Sequence, residues 1–379
     1  MARAFIAAVA LLTAAVLLWQ WTGSRTSAHA TNTAVVKLLS GGETAGYAQA
    51  LRPRTFTFPA DFGPHNDFRQ EWWYYTGNLD TADGRHFGYE LTFFRFALAP
   101  SAPQRSSAWA TRQIYLAHFA ITDVQAQKYH QNERLDRAAV GLAGAHSSPY
   151  RVWAEDWSAA GGSRRGLPMH LQAAGADVAL DLQLDSLKPV VLQGDRGLSQ
   201  KGSQPGNASY YYSLTRLASR GSVRIAGLTY AVTGLSWMDR EWSTSALEAG
   251  QIGWDWFALQ LSDGRELMYY RLRRKDGGPD PHSQGVIVDQ HGGWQTLSPD
   301  QIKITVRDHW HSAQSGAIYP AAWTLDVPGQ GLWLQVTPYL ADQEWSDRLR
   351  YWEGAVRLED RNHRPMGSGY VELVGYAPP

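Results

Sequence analysis

The chain has 379 residues, with 35 Lys and Arg against 35 Asp and Glu and a formal net charge of zero. No block of like charge stands out, which argues against nucleic acid as a partner, since phosphate binding needs a basic stripe. There is no Cys, which excludes disulfides and lipoprotein attachment, while 17 Trp and 18 Tyr make aromatics the compositional outlier.

In chain order, the first segment reads as a targeting signal. Arg3 is its charged start, Ala4 to Trp19 an uncharged apolar run, and Ala28-His29-Ala30 a small-residue cleavage site. Residues 1–30 are expected to be a signal peptide cleaved near Ala30. An uncleaved N-terminal anchor is the alternative, though the run is a little short of the roughly 20 residues a span needs. An exported chain without Cys suits a bacterial periplasm, or secretion, better than a route where disulfides are common. Membrane contact is expected only through this segment or an exporter. Residues 31–55 read as a polar lead-in with one helical turn around Ala45 to Leu51.

Strand signals then recur to the end of the chain, and helical periodicity is poor. In the stretch 56–246 they fall at Ile114 to Thr122, Tyr150 to Trp153, Val178 to Leu184, Ser209 to Leu217, Val223 to Ile225 and Thr229 to Trp237. In 247–379 they include Trp254 to Leu261, Glu266 to Arg273, Gly285 to Val288, Ala322 to Val327, Leu332 to Thr337, Trp352 to Leu358 and Ser368 to Leu373.

The two stretches echo each other. Trp73-Tyr74-Tyr75, Asp83-Gly84-Arg85 and Tyr89 to Arg95 return as Trp254 to Phe257, Asp263-Gly264-Arg265 and Met268 to Arg273. Each set reads as a hairpin, because Asp-Gly supplies the positive φ of a tight turn between alternating strands. Val152 to Ala159 is echoed by Val306 to Ala313, and Leu171 to Leu184 by Leu325 to Pro338. Tyr212 to Leu217 is echoed by Trp352 to Leu358, and Tyr230 to Leu235 by Tyr370 to Gly375. Five matches in one order predict an all-β chain of two tandem barrel domains, 56–246 and 247–379, arising from an internal duplication. Regular short strands fit small calycin-like barrels of about eight to ten strands each.

Two segments carry more polar and aromatic groups than strands need: Gly63 to Leu79 and Gly234 to Ser243. Each places a carboxylate directly before a Trp, as Glu71-Trp72 and Glu241-Trp242. A carboxyl against an indole has its pKa raised by desolvation and can then act as a general acid. Asp239, Glu241 and Glu71 are therefore the candidate acids. The structural alternative is that Glu71 and Glu241 are buried partners of Arg69, Arg240, or of Arg95 and Arg271 on the matching hairpin strands. The rings expected around a ligand are Trp72, Trp73, Tyr75, Trp237, Trp242, Trp254, Trp256 and Tyr269, with filling of the barrel cores as their other role. His309-x-His311 is the one close His pair and has no evident third ligand, so no metal is expected. No G-x-S-x-G elbow, P-loop or G-x-G-x-x-G occurs, and no cofactor is expected.

Phe58-Pro59-x-Asp61-x-Gly63-Pro64-His65, followed by Glu71 to Leu79, resembles the signature of the AttH/carotenoid 1,2-hydratase (hydroxyneurosporene synthase) family of lipocalin-like proteins. Trp237 to Trp242, with Gly253 to Phe257 and Asp263 to Met268, resembles its central signature. Tyr351 to Val356 and Gly369 to Tyr376 resemble its C-terminal one. The resemblance implies two lipocalin-like barrels. It implies either hydration of an isoprenoid double bond without a redox cofactor, or a secreted protein associated with ABC-type export components. Position 240 departs from the pattern, being Arg where His is often expected; Arg stays charged at working pH, so no acid or base role follows for it.

Three functions fit these readings. The first is an exported carrier of an apolar, isoprenoid or lipid-like ligand, serving an exporter. The second is a hydratase in which Asp239 or Glu241 protonates an alkene and Trp237, Trp242 and Trp254 stabilise the cation. The third is a carbohydrate-binding or hydrolytic protein with Trp platforms and paired carboxyls.

Overall fold

The computed structural model describes residues 44–377 apart from 103, 164, 165, 245 and 246. The expected signal peptide and the start of the lead-in lie outside the described residues. In place of a helical turn at Ala45 to Leu51, one turn closes from the Tyr47 N–H to the Thr44 carbonyl and extended chain follows. Among the described residues no helix is long and apolar enough to cross a membrane.

Strands dominate. The first sheet holds β1 (Gln70–Asp80), β2 (His86–Ala97), β3 (Gln113–Asp123), β4 (Lys128–Arg137), β5 (Ala143–Ser147), β6 (Tyr150–Ala154), β7 (Trp157–Gly161), β8 (Met169–Ala174), β9 (Val178–Ser186), β10 (Val191–Leu192), β11 (Leu198–Gln200), β12 (Ala208–Ile225) and β13 (Leu228–Ser243). The second holds β14 (Gln251–Leu261), β15 (Glu266–Arg274), β16 (Gln284–Val288), β17 (Trp294–Leu297), β18 (Lys303–His311), β19 (Ile318–Val327), β20 (Leu332–Pro338), β21 (Glu344–Trp345), β22 (Tyr351–Glu359) and β23 (Pro365–Val374).

The first sheet runs β4-β3-β2-β1-β13-β12-β9-β8-β7-β6-β5 and the second β17-β16-β15-β14-β23-β22-β20-β19-β18. The ends of the first approach each other, where β3 and β4 meet β5 and β6, so it is a nearly closed barrel. The second is a half-barrel. The two-domain lipocalin-like architecture is therefore present, and the strand orders correspond: β1 lies between β2 and β13 as β14 lies between β15 and β23. Both hairpins turn at the expected glycines, Gly84 at φ 85° and Gly264 at φ 89°. Three of the remaining echoes fall on corresponding strands. The fourth does not: Val152 lies on β6, with a strand on either side, whereas Val306 lies on β18 at the sheet's end.

Each barrel fills its own interior. Trp73, Tyr75, Phe93, Tyr150 and Trp242 belong to the first core, and Phe257, Tyr269, Trp323 and Trp352 to the second. The outward faces of β1, β2, β12 and β13 then pack against those of β14, β15, β22 and β23 through two further apolar clusters. The approach is close: a Cβ added at Gly88 on β2 would stand 2.5 Å from the Ala355 Cβ on β22. Polar links fix the pairing, with Asn78 Nδ2 donating to the Gly369 carbonyl at 3.0 Å and Thr122 Oγ1 to Gln343 Oε1 at 2.6 Å.

Candidate active site

Successive side chains on a strand point to opposite faces, and at four strands this alternation sorts barrel-core residues from residues of the inter-sheet space. On β1, Trp73 and Tyr75 enter the first core while Trp72 and Tyr74 face the second sheet. On β13, Met238, Arg240 and Trp242 turn inward while Trp237, Asp239 and Glu241 turn outward. On β14 and β15, Phe257 and Tyr269 turn inward while Trp254, Trp256 and Tyr270 turn outward. The outward set encloses a mostly apolar cavity of about 100 Å³. Its walls include Trp72, Tyr74, Phe94, Trp254, Trp256 and Leu349, and its polar groups include Asp239, Glu241, Lys201, Tyr211 and Glu372.

Asp239 is held by three donors. Ser213 Oγ donates to Oδ1 at 2.5 Å, Trp237 Nε1 donates to Oδ1 at 2.7 Å, and the Tyr211 hydroxyl donates to Oδ2. Trp256 Nε1 in turn donates to the Tyr211 oxygen at 3.2 Å. Burial is the largest influence on this carboxyl and pushes its pKa up to about 7, helped by the nearby Glu241 charge and opposed by the three hydrogen bonds. Such a group carries a proton over much of the physiological range.

Glu241 differs. Lys201 Nζ stands 3.4 Å from its Oε1 and lies 3.7 Å from the Tyr270 ring centroid. Burial works against the Lys201 charge, but Glu241 and Tyr270 outweigh it and raise the ammonium's pKa. The face of Tyr270 is thus already occupied by a cation, whereas Trp72, Trp254 and Trp256 present rings to the cavity. Glu372 accepts from Trp254 Nε1 at 3.0 Å, and burial pushes it up to about 7. Among the described residues no basic group forms an ion pair with Asp239 or Glu372.

Behind Tyr74 lie two more acids, Glu90 on β2 and Glu353 on β22, both buried. Tyr74 donates to Glu353 Oε1, and Trp345 Nε1 donates to Glu90 Oε2 at 3.1 Å. Burial raises both pKa values, helped by the Glu372 charge at each and by the Glu90 charge at Glu353, holding protons between the sheets.

Glu71 sits elsewhere, in the first barrel. Its Oε2 lies 2.5 Å from Arg240 Nη2, its Oε1 bonds Arg95 Nε, and the His65 backbone N–H donates to it at 3.0 Å. Burial alone would raise its pKa, but the two guanidiniums and His65 more than reverse this and hold it far below the carboxylate range. That is an ionised structural anchor, and it does not line the cavity. Arg240 and Arg95 are its partners, and Arg240 also lies 3.8 Å over the Trp73 ring. Arg271 pairs with neither Glu241, which takes Lys201, nor Asp255, which takes Arg273 at 3.1 Å. Of the rings expected around a ligand, Trp72, Trp254 and Trp256 line the cavity and Trp237 orients Asp239. Trp73, Tyr75, Trp242 and Tyr269 are core residues.

Sequence reasoning passed over Tyr74, Lys201, Tyr211, Tyr351, Glu353 and Glu372 as site residues. Strand alternation was the available signal for Tyr74, since it shares a face with Trp72. Glu353 and Glu372 stand in the C-terminal segments, and only the pairing of β22 with β23, which sets them opposite each other, brings them together.

The AttH-like family model matches residues 49–376. A crystal structure from Nitrosomonas europaea described as an AttH is 35% identical, with 86% of this chain and 100% of that chain covered and a TM-score of 0.78. Kievitone hydratase from Nectria haematococca superposes over 89% of this chain and 98% of its own at a TM-score of 0.64 and 16% identity. CghA does so over 90% and 98% at 0.52 and 12%. At those identities the last two likenesses speak for the fold. No curated protein sequence matches the chain.

Proposed function

The chain belongs to the AttH-like family, and on that premise we propose that it is a hydratase for an apolar, isoprenoid-like alkene. The observation that carries this reading is Asp239, a carboxyl with no cationic partner among the described residues, in a ring-lined cavity and with a pKa near 7. A carrier would have no use for a proton held there. The acid gives its proton to one alkene carbon, and the other becomes a cation facing the Trp72, Trp254 and Trp256 rings, whose π faces attract it by up to about 2 kcal/mol when desolvated. Water bonds to that carbon and surrenders a proton, leaving a tertiary alcohol when the alkene is trisubstituted. Glu241 is the weaker candidate acid, because it already has an ion-pair partner in Lys201.

That one solved neighbour is named for a hydration supports the reaction class, though only through the fold. Export to the periplasm stays part of the proposal on the strength of residues 1–30, and service to an ABC-type exporter on the strength of the family resemblance.

The test is incubation of the purified protein with linear isoprenoids and prenylated phenols in ¹⁸O-labelled water, followed by mass spectrometry. Addition of one labelled water by the wild type and not by Asp239→Asn is the expected result. Tight binding of the same compounds with no water added by either protein would make the chain a carrier.

A further inference from the structure

His118 is a buried histidine that the reaction above does not use. It lies on β3, with Nδ1 2.5 Å from the Tyr351 hydroxyl and Nε2 3.3 Å from Glu133 Oε2. Tyr351 is a wall of the cavity. Glu133 is at the other end, where Arg348 Nε meets its Oε1 at 2.6 Å and the Arg348 side chain is 63% exposed. A chain of titratable groups therefore runs from the cavity wall to the surface.

The surroundings fix how the ring is used. Trp345 stacks on it at 4.1 Å and Phe94 meets it edge-on at 5.5 Å. The charged groups acting on it are Glu133 from β4 and Asp347 before β22. Burial outweighs these carboxylates and lowers the imidazole pKa, so the ring rests neutral. A neutral ring with a carboxylate at Nε2 carries its proton there, leaving Nδ1 to accept from Tyr351. At the inner end Tyr351 lies beside Glu353, whose Oε2 has no hydrogen-bond partner among the described residues and, when protonated, can donate to the Tyr351 oxygen. Glu353 does not line the cavity.

We propose that Tyr351, His118 and Glu133 form a proton relay between solvent and the buried acid Glu353, and that it removes the proton surrendered by the attacking water. The second part rests on the hydratase reading; the first does not. In the forward step Asp239 loses a proton to the alkene carbon and water oxygen bonds to the cation. A proton of that oxygen passes to the Tyr351 oxygen as the Tyr351 hydroxyl proton moves to His118 Nδ1. The Nε2 proton then leaves through Glu133 to bulk water. Once product departs the relay runs back: a solvent proton reaches His118 Nε2 through Glu133, the Nδ1 proton returns to the Tyr351 oxygen, and the Tyr351 proton passes into the cavity to Asp239. The ring thereby regains its Nε2–H form, and the cycle adds one water and no net charge. Tyr351 is the catalytic residue of this relay; His118 and Glu133 act through it.

The test needs no substrate. Protein in H₂O is diluted into D₂O, and the shift of the Glu353 carboxylic-acid band is followed by infrared spectroscopy, the band being assigned by its loss in Glu353→Gln. The relay predicts that His118→Gln slows this exchange by tenfold or more. A merely structural role for His118 predicts the opposite, since a loosened fold exchanges faster. Tyr351→Phe breaks the same path one step inward and must also slow exchange, which keeps the test decisive if one variant does not fold. Exchange as fast as wild type in a folded variant overturns the relay. Slow exchange in a protein that hydrates nothing leaves the relay standing and removes only its assignment to hydration.

Discussion

Asp239 and Arg240 are consecutive on β13 and serve opposite sides of it. The Asp239 carboxyl enters the inter-sheet cavity and carries a proton near neutral pH, while Arg240 enters the first barrel and closes an ion pair with Glu71. One strand thus supplies a structural charge to one face and a chemical group to the other, and the two can be perturbed separately.

Replacing Asp239 by Asn keeps the shape but removes the transferable proton, and the amide nitrogen can only donate to Tyr211 where the carboxylate accepted from it. Turnover is expected to fall by about a hundred- to ten-thousand-fold, the range for loss of a general acid, with ligand affinity retained. Comparison of kcat with a fluorescence-quenching titration of the cavity tryptophans separates the two effects. Loss of binding without a change in kcat would assign Asp239 to positioning.

Tyr211 tunes that acid. Its hydrogen bond favours the ionised form and lowers the Asp239 pKa against the pull of burial. Activity that depends on protonated Asp239 falls as pH rises through about 7. In Tyr211→Phe this alkaline limb moves to higher pH. A pH–rate profile reads the shift, and movement toward lower pH contradicts the assignment.

Glu71→Ala strips the counter-charge from Arg95 and Arg240 inside the barrel. Breaking a buried pair on one side costs about 3–5 kcal/mol, which urea denaturation measures as a lower midpoint. The protein that remains folded at low urea keeps its cavity acid, since Asp239 faces away from the change. A variant of full stability would show that the pairs contribute little.

Stability is expected to fall with rising pH across the neutral range. Burial lifts Asp239 and Glu372 from ordinary values of 3.8 and 4.5 to about 7 in the folded state. From about 4 upward the unfolded chain releases these protons first, so stability drains until pH passes 7 and then levels. Glu90 and Glu353 add in the same direction. Glu71 works the other way: its folded pKa is depressed, and its contribution is lost only as pH falls below its ordinary 4.5. Melting temperature against pH should therefore decline from about pH 5 to pH 8, and Glu372→Gln should flatten the decline.

Much of the fold was legible because its signals are local. Asp83-Gly84 and Asp263-Gly264 announce hairpins, and alternation announces strands on both sides of them. The echo at Val152 misled because a Trp-rich strand end is a common local pattern, and β6 and β18 have different neighbours. The candidate acids were legible as residue types beside indoles. What separates Glu71 from Asp239 is not local: Glu71 becomes an anchor only when Arg95, 24 residues away, and Arg240, 169 away, arrive beside it. The cavity itself belongs to the packing of one sheet on another, and no single stretch of sequence encodes it.

The most direct measurement is the titration of Asp239 in the folded protein, by carbon NMR of labelled aspartate with Asp239→Asn identifying the signal. The account predicts a midpoint near 7, with the acid protonated at the start of neutral pH. A midpoint near the ordinary 3.8 would leave an ionised carboxylate in the cavity, and the proton-donor role at the centre of the account would be lost.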